Sequence, residues 1–277
     1  MTDDLDATLR TIDDWGADHA AVAVVGPDGV ISEYGDADHR YRWASVTKLA
    51  TAIAVLSAVD GGLIDLDEPA GPPGSSVRHL LAHASGLPFD GDQVLARPGT
   101  RRIYSNAGFD LLGALVAERS GRPFAVALAD RVLAPLGMAD TELVGRPSDG
   151  LHGPLTDAAA LAKEMLRPTI LLADTASTAQ TVQFSGLKGV LPEGGTFAQL
   201  DWGLGFELRD DKQPHWTGTT NSPATFGHFG GAGTFIWLDP AIDRGLVCLT
   251  DREFGPWALE AWPRLSDAVV EDLSDPR

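Results

Sequence analysis

Cysteine is almost absent from this 277-residue chain, and long hydrophobic runs are absent too. The single cysteine, Cys248, lies in the apolar run of residues 246–249, so an internal disulfide is impossible and a buried, unreactive thiol is expected. The apolar run of residues 49–59 is too short to span a membrane as a helix. The sequence therefore predicts neither disulfide stabilisation nor a transmembrane helix.

Basic residues are also scarce. The chain has 21 Lys and Arg and 39 Asp and Glu, which gives a net charge of −18 with His neutral. Nucleic acids and anionic membranes bind basic surfaces, so neither is expected as a partner. The first residues are acidic and lack the basic and apolar regions of a signal peptide, which predicts a cytoplasmic protein. Only four lysines occur, so a lysine within an apolar segment stands out: Lys48, Lys163, Lys188 and Lys212.

One of these lysines, Lys48, follows Ser45 by three positions at the start of the apolar run. The run predicts a buried helix from about residue 45 to the glycine pair at 61–62. Three residues apart on a helix, the Lys48 amine reaches the Ser45 hydroxyl. Serine is also an ordinary helix N-cap, so the pair alone does not establish a catalytic site.

The Ser-x-x-Lys spacing occurs a second time, at Ser185 and Lys188. Residues 189–195 after it are rich in Gly and Pro and predict a turn, with no helix to align the two side chains. We therefore interpret the second copy as a loop.

Strand patterns occur near both chain ends, and helix patterns occupy the middle. An amphipathic helix is predicted over 5–16, a hairpin over 20–25 and 30–34, and a closing helix over 257–273. Helices are predicted over 76–86, 105–118, 123–132 and 155–167, and strands over 203–209, 226–231, 234–238 and 245–250. This order predicts an α+β fold, with one antiparallel sheet built from both chain ends, flanked by helices. It divides the chain into a discontinuous sheet subdomain, 1–60 with 185–277, and a helical subdomain, 61–184.

Two further motifs follow the Ser45 segment in order, namely Tyr104-Ser105-Asn106 before a helix and His228-Phe229-Gly230 in a late strand. Separately, each residue has an ordinary structural explanation in a core or a helix cap. Together, and with the His-Leu-Leu-x-His-x-Ser-Gly-Leu pattern of residues 79–87, they resemble the serine β-lactamase and penicillin-binding protein superfamily. The resemblance covers nearly the whole chain, is strongest to the class C-like branch with family VIII esterases, and implies a β-lactamase/transpeptidase-like fold.

The resemblance implies that Ser45 is a nucleophile that forms an acyl-enzyme. Lys48 and Tyr104 are the two candidates for its general base, and a buried site with hydrogen bonds or a second cation could lower the pKa of either toward neutrality. Asn106 would hold Lys48 and the substrate, and His228 with Gly230 would orient the substrate. The backbone N–H groups of Ser45 and Gly231 would form the oxyanion hole.

The third motif departs from the Lys-Thr-Gly of antibiotic-hydrolysing relatives, since His228, Phe229 and Gly230 stand there. A substrate carboxylate thus loses its usual cation and hydroxyl, while aromatic residues nearby favour a neutral or apolar acyl group: Trp202, Phe206, Trp216, Phe226, Phe235 and Trp237. We therefore expect a serine hydrolase of small esters or amides. The alternatives are a β-lactamase or D-amino-acid peptidase and, from another class, a non-catalytic binding domain.

A metal pair is conceivable at His79 and His83, which lie four residues apart on a predicted helix. No Glu lies between them in zincin fashion and no third ligand is evident, so structural roles are expected. No Gly-x-Ser-x-Gly nucleophile elbow occurs. The expectation is a small-molecule substrate without a cofactor, and the oligomeric state is left open.

Overall fold

The computed structural model describes residues 2–191 and 195–274. Within these residues, α-helices occupy eight segments: α1 Thr2–Leu9, α2 Thr47–Asp60, α3 Val77–Leu81, α4 Asn106–Ser120, α5 Phe124–Leu128, α6 Leu155–Leu166, α7 Ala173–Ala179 and α8 Pro256–Ser274. Two 3₁₀ turns, Arg10–Trp15 and Ala44–Val46, and a π turn, Ala129–Leu133, continue or precede helices. The strands of the main sheet are β1 Ala20–Gly26, β2 Gly29–Gly35, β9 Glu207–Leu208, β10 Phe226–Gly230, β11 Thr234–Asp239 and β12 Arg244–Thr250. The short strands are β3 Tyr41–Arg42, β4 Arg102–Ile103, β5 Glu142–Leu143, β6 Leu151–Gly153, β7 Gly189–Leu191 and β8 Gly195–Phe197.

The main sheet joins both ends of the chain, as the sequence predicts. Its order is β2-β1-β12-β11-β10-β9, and every neighbouring pair is antiparallel. In β1, Ala21 and Ala23 face one apolar cluster while Val22 and Val24 face another, as expected for strands buried on both faces. The predicted α+β fold is confirmed.

The two clusters occupy opposite faces of the sheet. The larger contains side chains of α2, α4 and α6, and the smaller contains side chains of α1 and α8. The apolar run that follows Ser45 forms α2, whose residues are almost all buried, as its uniform hydrophobicity predicts. The middle of the chain is mainly helical, and the division into subdomains at residues 60 and 185 stays a prediction.

Several predicted boundaries are wrong for local backbone reasons. The first helix is α-helical only to Leu9 and continues as a 3₁₀ turn to Trp15, where Gly16 at φ +65° ends it. The helix predicted over 76–86 ends at Leu81, because His83 has φ +52°. The strand predicted over 203–209 is reduced to β9, since Gly205 at φ +94° makes residues 203–206 a turn.

Two small three-stranded sheets were not predicted, β3-β6-β5 and β4-β7-β8. The second contains β7, so residues 189–191 form a strand where a turn was predicted; residues 192–194 of that predicted turn lie outside the described residues. Residues 185–188 form a loop that begins with a turn at Ser185 and Gly186 and contains no helix, as expected. Within the described parts of the chain, no helix combines the length and hydropathy needed to cross a membrane.

Candidate active site

Ser45 lies in a sharp backbone turn between β3 and α2. Ala44 has φ +47°, a conformation that non-glycine residues rarely adopt. Trp43 anchors the turn, because its backbone N–H donates to Leu151 at 2.9 Å and its indole N–H donates to Gly153 at 3.1 Å. The Trp43 carbonyl accepts from Thr234 on β11 at 2.8 Å. The main sheet and β6 therefore hold the serine in place.

Lys48 is 0% exposed and lies beside Ser45. Its Nζ donates to Ser45 Oγ at 3.1 Å, to Asn106 Oδ1 at 2.6 Å and to the Ser148 carbonyl at 2.9 Å. Burial lowers the pKa of Lys48 to about 7, against the opposing effect of nearby Asp149 and Asp110. At neutral pH, Lys48 is therefore uncharged in a substantial fraction of the molecules, and its neutral amine can accept a proton from Ser45.

The start of α4 aligns Tyr104 and Asn106. Ser105 is the N-cap, and its Oγ accepts from the Gly108 backbone N–H at 3.0 Å, which leaves Asn106 free to bind Lys48. The Ser105 backbone N–H donates to His83 Nδ1 at 3.1 Å. His83 therefore has a structural role, as expected, although it lies beyond α3 and not on a helix with His79.

The Tyr104 hydroxyl is buried and has no hydrogen-bond partner among the described residues. Burial raises the pKa of Tyr104 well above its usual value, and the adjacent Ser45 side chain opposes this effect only partly. A lowered pKa was expected for Tyr104 from the sequence, and this expectation is wrong because burial disfavours the charged phenolate. Lys48 Nζ lies 4.8 Å from the Tyr104 ring centroid, where a cation is stabilised by the ring face.

The two glycines after His228 have different surroundings. A Cβ on Gly230 would lie 2.4 Å from the Trp43 carbonyl oxygen and 3.2 Å from Ala44 Cβ, so this glycine lets β10 approach the Ser45 turn. A Cβ on Gly231 would meet nothing within 4 Å. Among the described residues, no backbone acceptor pairs with the N–H of Ser45 or of Gly231, and both residues line the same cavity.

His228 is 2% exposed, and its Nδ1 lies 2.6 Å from the carbonyl oxygen of Phe229. Because a carbonyl only accepts, Nδ1 carries the hydrogen. Burial, with the Lys48 charge, lowers the pKa of His228 to about 3 and keeps the ring neutral. Nε2 of His228 is then a hydrogen-bond acceptor, and it has no partner among the described residues. The ring cannot replace the cation of Lys-Thr-Gly.

These residues surround a cavity of about 120 Å³ lined by Ser45, Phe89, Tyr104, Leu191, Trp202, Glu207, His228, Phe229 and Gly231. Asn106 and Gly230 do not line this cavity. Asn106 binds Lys48, and Gly230 packs against the backbone turn that contains Ser45. Of the six aromatic residues proposed as pocket walls, only Trp202 lines this cavity. Trp216 lines a neighbouring cavity, while Phe206, Phe226, Phe235 and Trp237 belong to the apolar clusters.

Sequence reasoning did not find Phe89, Leu191, Glu207 or the carbonyl of Ser148. Only Glu207 had a visible signal, as a carboxylate within an apolar stretch of predicted strand. Cys248 is buried in β12, as expected.

A family model described as Beta-lactamase matches residues 6–270. A crystal structure of a beta-lactamase (Mb2281c) from Mycobacterium bovis is 50% identical, with a TM-score of 0.95, and the alignment covers 97% of this chain and 100% of that one. The hydrolase EstCE1 is 18% identical with a TM-score of 0.80 over 97% of this chain and 98% of its own, which shows the shared fold.

Two characterised relatives align over shorter stretches. D-alanyl-D-alanine-carboxypeptidase/endopeptidase AmpH of Escherichia coli (strain K12) is 27% identical over 46% of this chain and 46% of its own length. Esterase EstB of Burkholderia gladioli is 31% identical over 43% of this chain and 42% of its own. The chain thus matches less than half the length of each of these relatives.

Proposed function

The chain belongs to the Beta-lactamase family of serine hydrolases, and from that premise we propose that it cleaves small esters through an acyl-Ser45 intermediate. The observation that carries the proposal is the 3.1 Å contact between Ser45 Oγ and the buried amine of Lys48. A serine hydroxyl is a poor nucleophile until a neighbouring base takes its proton. Lys48 has both the position and the lowered pKa for this task.

The proposed reaction has two halves. Ser45 Oγ attacks the ester carbonyl carbon while Lys48 takes the hydroxyl proton, and the backbone N–H groups of Ser45 and Gly231 stabilise the oxyanion. The intermediate expels the alcohol, which receives that proton from Lys48 directly or through the hydroxyl of Tyr104. Water then attacks the acyl-enzyme by the same route, releases the acid and restores Ser45.

Lys48 is favoured over Tyr104 as the base. The lysine pKa falls to about 7, whereas that of the buried tyrosine rises, so the phenol stays protonated at neutral pH. A protonated Tyr104 beside Ser45 is suited to relaying a proton to the leaving group.

The cavity wall supports esters as substrates. None of the described residues that line it is Lys or Arg, and His228 is held neutral, so a substrate carboxylate has no cation to meet there. A second cavity of about 190 Å³ shares Leu191 and Phe229 with the first and is lined mainly by apolar side chains. An apolar chain extending from the scissile bond would lie there.

A second candidate is D-Ala-D-Ala peptidase or β-lactam hydrolysis. The similarity to AmpH and to the Mycobacterium bovis beta-lactamase favours it. The esterase EstB belongs to the same set of relatives and favours the ester reaction. Both candidates use the same Ser45 intermediate, so labelling of Ser45 tests what they share and the reagent separates them.

The first experiment is the intact mass of the protein after incubation with a fluorophosphonate and, in parallel, with a penicillin. Ser45→Ala should lose the adduct and lower ester turnover at least about a thousandfold. Ser185→Ala, the matched control in the other Ser-x-x-Lys copy, should label normally. A penicillin adduct would favour the second candidate, and labelling that survives Ser45→Ala would contradict the assignment of Ser45 as the nucleophile. Labelling by neither reagent would contradict the proposal and favour a binding domain.

A further inference from the structure

A buried acidic residue, Glu207 on β9, is among the residues that line the Ser45 cavity. Its side chain is 1% exposed, and most of the other lining residues are aromatic or apolar. Glu207 Oε2 accepts from the Trp216 indole N–H at 2.9 Å, and Oε1 lies 3.2 Å from His215 Nε2. The reaction proposed above does not use this group.

The hydrogen bonds of His215 show which partner donates to Glu207. His215 Nδ1 accepts from the Thr217 backbone N–H at 3.3 Å and lies 2.8 Å from the Thr217 hydroxyl. The hydrogen of the neutral ring is therefore on Nε2, which donates to Glu207. Burial lowers the pKa of His215, so this ring adds no positive charge to the pair.

Glu207 is ionised in this setting. Burial alone would raise its pKa, but the hydrogen bonds from His215 and Trp216 and the charge of Lys212 hold it below its usual value. Lys212 does not bind the carboxylate, because its Nζ donates to the backbone carbonyls of Leu208 and, at 3.5 Å, Asp201. Each carboxylate oxygen has one donor and retains a free lone pair.

Three other polar atoms of the cavity wall lack partners among the described residues: the hydroxyl of Tyr104, the indole N–H of Trp202 and Nε2 of His228. Buried polar groups are almost always paired, so unpaired ones gathered around a single cavity indicate a ligand that completes them. Among the groups that line the cavity, the Glu207 carboxylate and His228 Nε2 are both acceptors. They match a donor on the ligand and repel an anion.

We propose that Glu207 and His228 form a specificity site which accepts a hydrogen-bond donor, such as a hydroxyl group, beside the scissile ester and rejects a carboxylate. This inference rests on the proposed esterase function and names its substrate class. Glu207 acts on substrate choice and takes no part in proton transfer to Ser45.

The test compares three methyl esters that differ at the acyl chain, β-hydroxybutyrate, β-methoxybutyrate and monomethyl succinate, by titration of the released acid. Hydroxyethyl, methoxyethyl and carboxymethyl butyrate place the same three groups on the alcohol. In at least one set, wild type should prefer the hydroxyl over the methoxy ester about tenfold or more in kcat/KM, because the methoxy group leaves the acceptors unpaired. The carboxylate ester should be slowest in both sets.

Glu207→Gln removes the charge and should raise kcat/KM of the carboxylate ester relative to the methoxy ester about tenfold. Glu260→Gln is the matched control, since Glu260 lies exposed on α8 and should leave both ratios unchanged. Thermal unfolding and fluorophosphonate labelling verify that each variant is folded. The wild-type series tests the inference even where Glu207→Gln does not fold.

Equal rates for hydroxyl and methoxy esters in both sets, or fast cleavage of the carboxylate esters, would overturn the inference while leaving the esterase function intact. Unchanged ratios in folded Glu207→Gln would overturn the role of Glu207. Absence of turnover with all six esters would overturn the esterase function and the inference with it.

Discussion

At the scale of single residues, Lys48 combines burial with three hydrogen bonds that a charged or neutral amine can make. Burial disfavours the ammonium form, while Asn106 Oδ1 and the Ser148 carbonyl accept its hydrogens. The nearby carboxylates of Asp149 and Asp110 oppose this effect, and the pKa of Lys48 is about 7. The amine that we propose as the base is therefore available in its neutral form at neutral pH while it stays beside Ser45.

This balance predicts the pH dependence of the reaction. Only the neutral amine accepts the Ser45 proton, so kcat/KM should rise with pH through about 7 and level off above it. Asn106→Asp places a carboxylate beside Lys48 Nζ, which favours the ammonium form. The rise of kcat/KM should then occur at a pH that is higher by about one unit or more. The measurement is kcat/KM against pH for a small ester.

Asn106→Ala is the matched control for that variant, because it removes the amide without adding charge. In this variant the rise of kcat/KM should not shift to higher pH. A shift to higher pH in both variants, or a rise far from neutral pH in the wild type, would assign the titration to a group other than Lys48.

At the scale of elements, β10 connects the main sheet to the backbone turn that contains Ser45. It presents His228 to the cavity, and at Gly230 its backbone packs against Trp43 and Ala44. The position of Ser45 thus depends on a strand almost two hundred residues later in the chain. Glycine is required at this contact for reasons of space.

Gly230→Ala should therefore destabilise the protein by about 1–3 kcal/mol, since the added Cβ would overlap the Trp43 carbonyl. Gly231→Ala is the adjacent control, with open space around its Cβ, and its effect on the free energy of unfolding should stay within about 0.5 kcal/mol. Denaturant unfolding measures both. Equal losses for the two variants would show that the packing at Gly230 is not the cause.

At the scale of the whole molecule, the sheet unites the two ends of the chain. Val22 of β1 pairs with Cys248 of β12, and side chains of α1 and α8 cover the same face. Cys248 is 0% exposed in an interior strand, and burial raises the pKa of its thiol. The thiol reports on opening of this sheet.

We expect a thiol reagent to leave Cys248 unmodified in the native protein and to react at a rate that follows global unfolding as denaturant is added. The measurement is the rate of modification against denaturant concentration, beside unfolding followed by circular dichroism. Fast modification that does not depend on denaturant would show that the sheet opens locally and would contradict a single cooperative sheet.

The sequence by itself determined the order of the main-sheet strands and of the long helices, and it indicated the motif residues of the candidate site. Apolar periodicity and turn residues are local, so α2, α4, α6, β10, β11 and β12 were predicted close to their bounds. The Ser-x-x-Lys spacing likewise needs only one helical turn. The predicted boundaries of the helix near His83 and of the strand near Gly205 are wrong. Both residues have a positive φ, and both make backbone hydrogen bonds with other segments of the chain.

Only the tertiary structure decided how those residues work. The burial that lowers the pKa of Lys48 comes from segments that surround it, and the Ser148 carbonyl reaches it from a loop one hundred positions away. Local patterns also make Trp202 and Trp237 look alike, yet one lines the cavity and the other lies in an apolar cluster. A cavity wall and a pKa depend on which distant segments meet, because packing and solvent exclusion act through space and not along the chain.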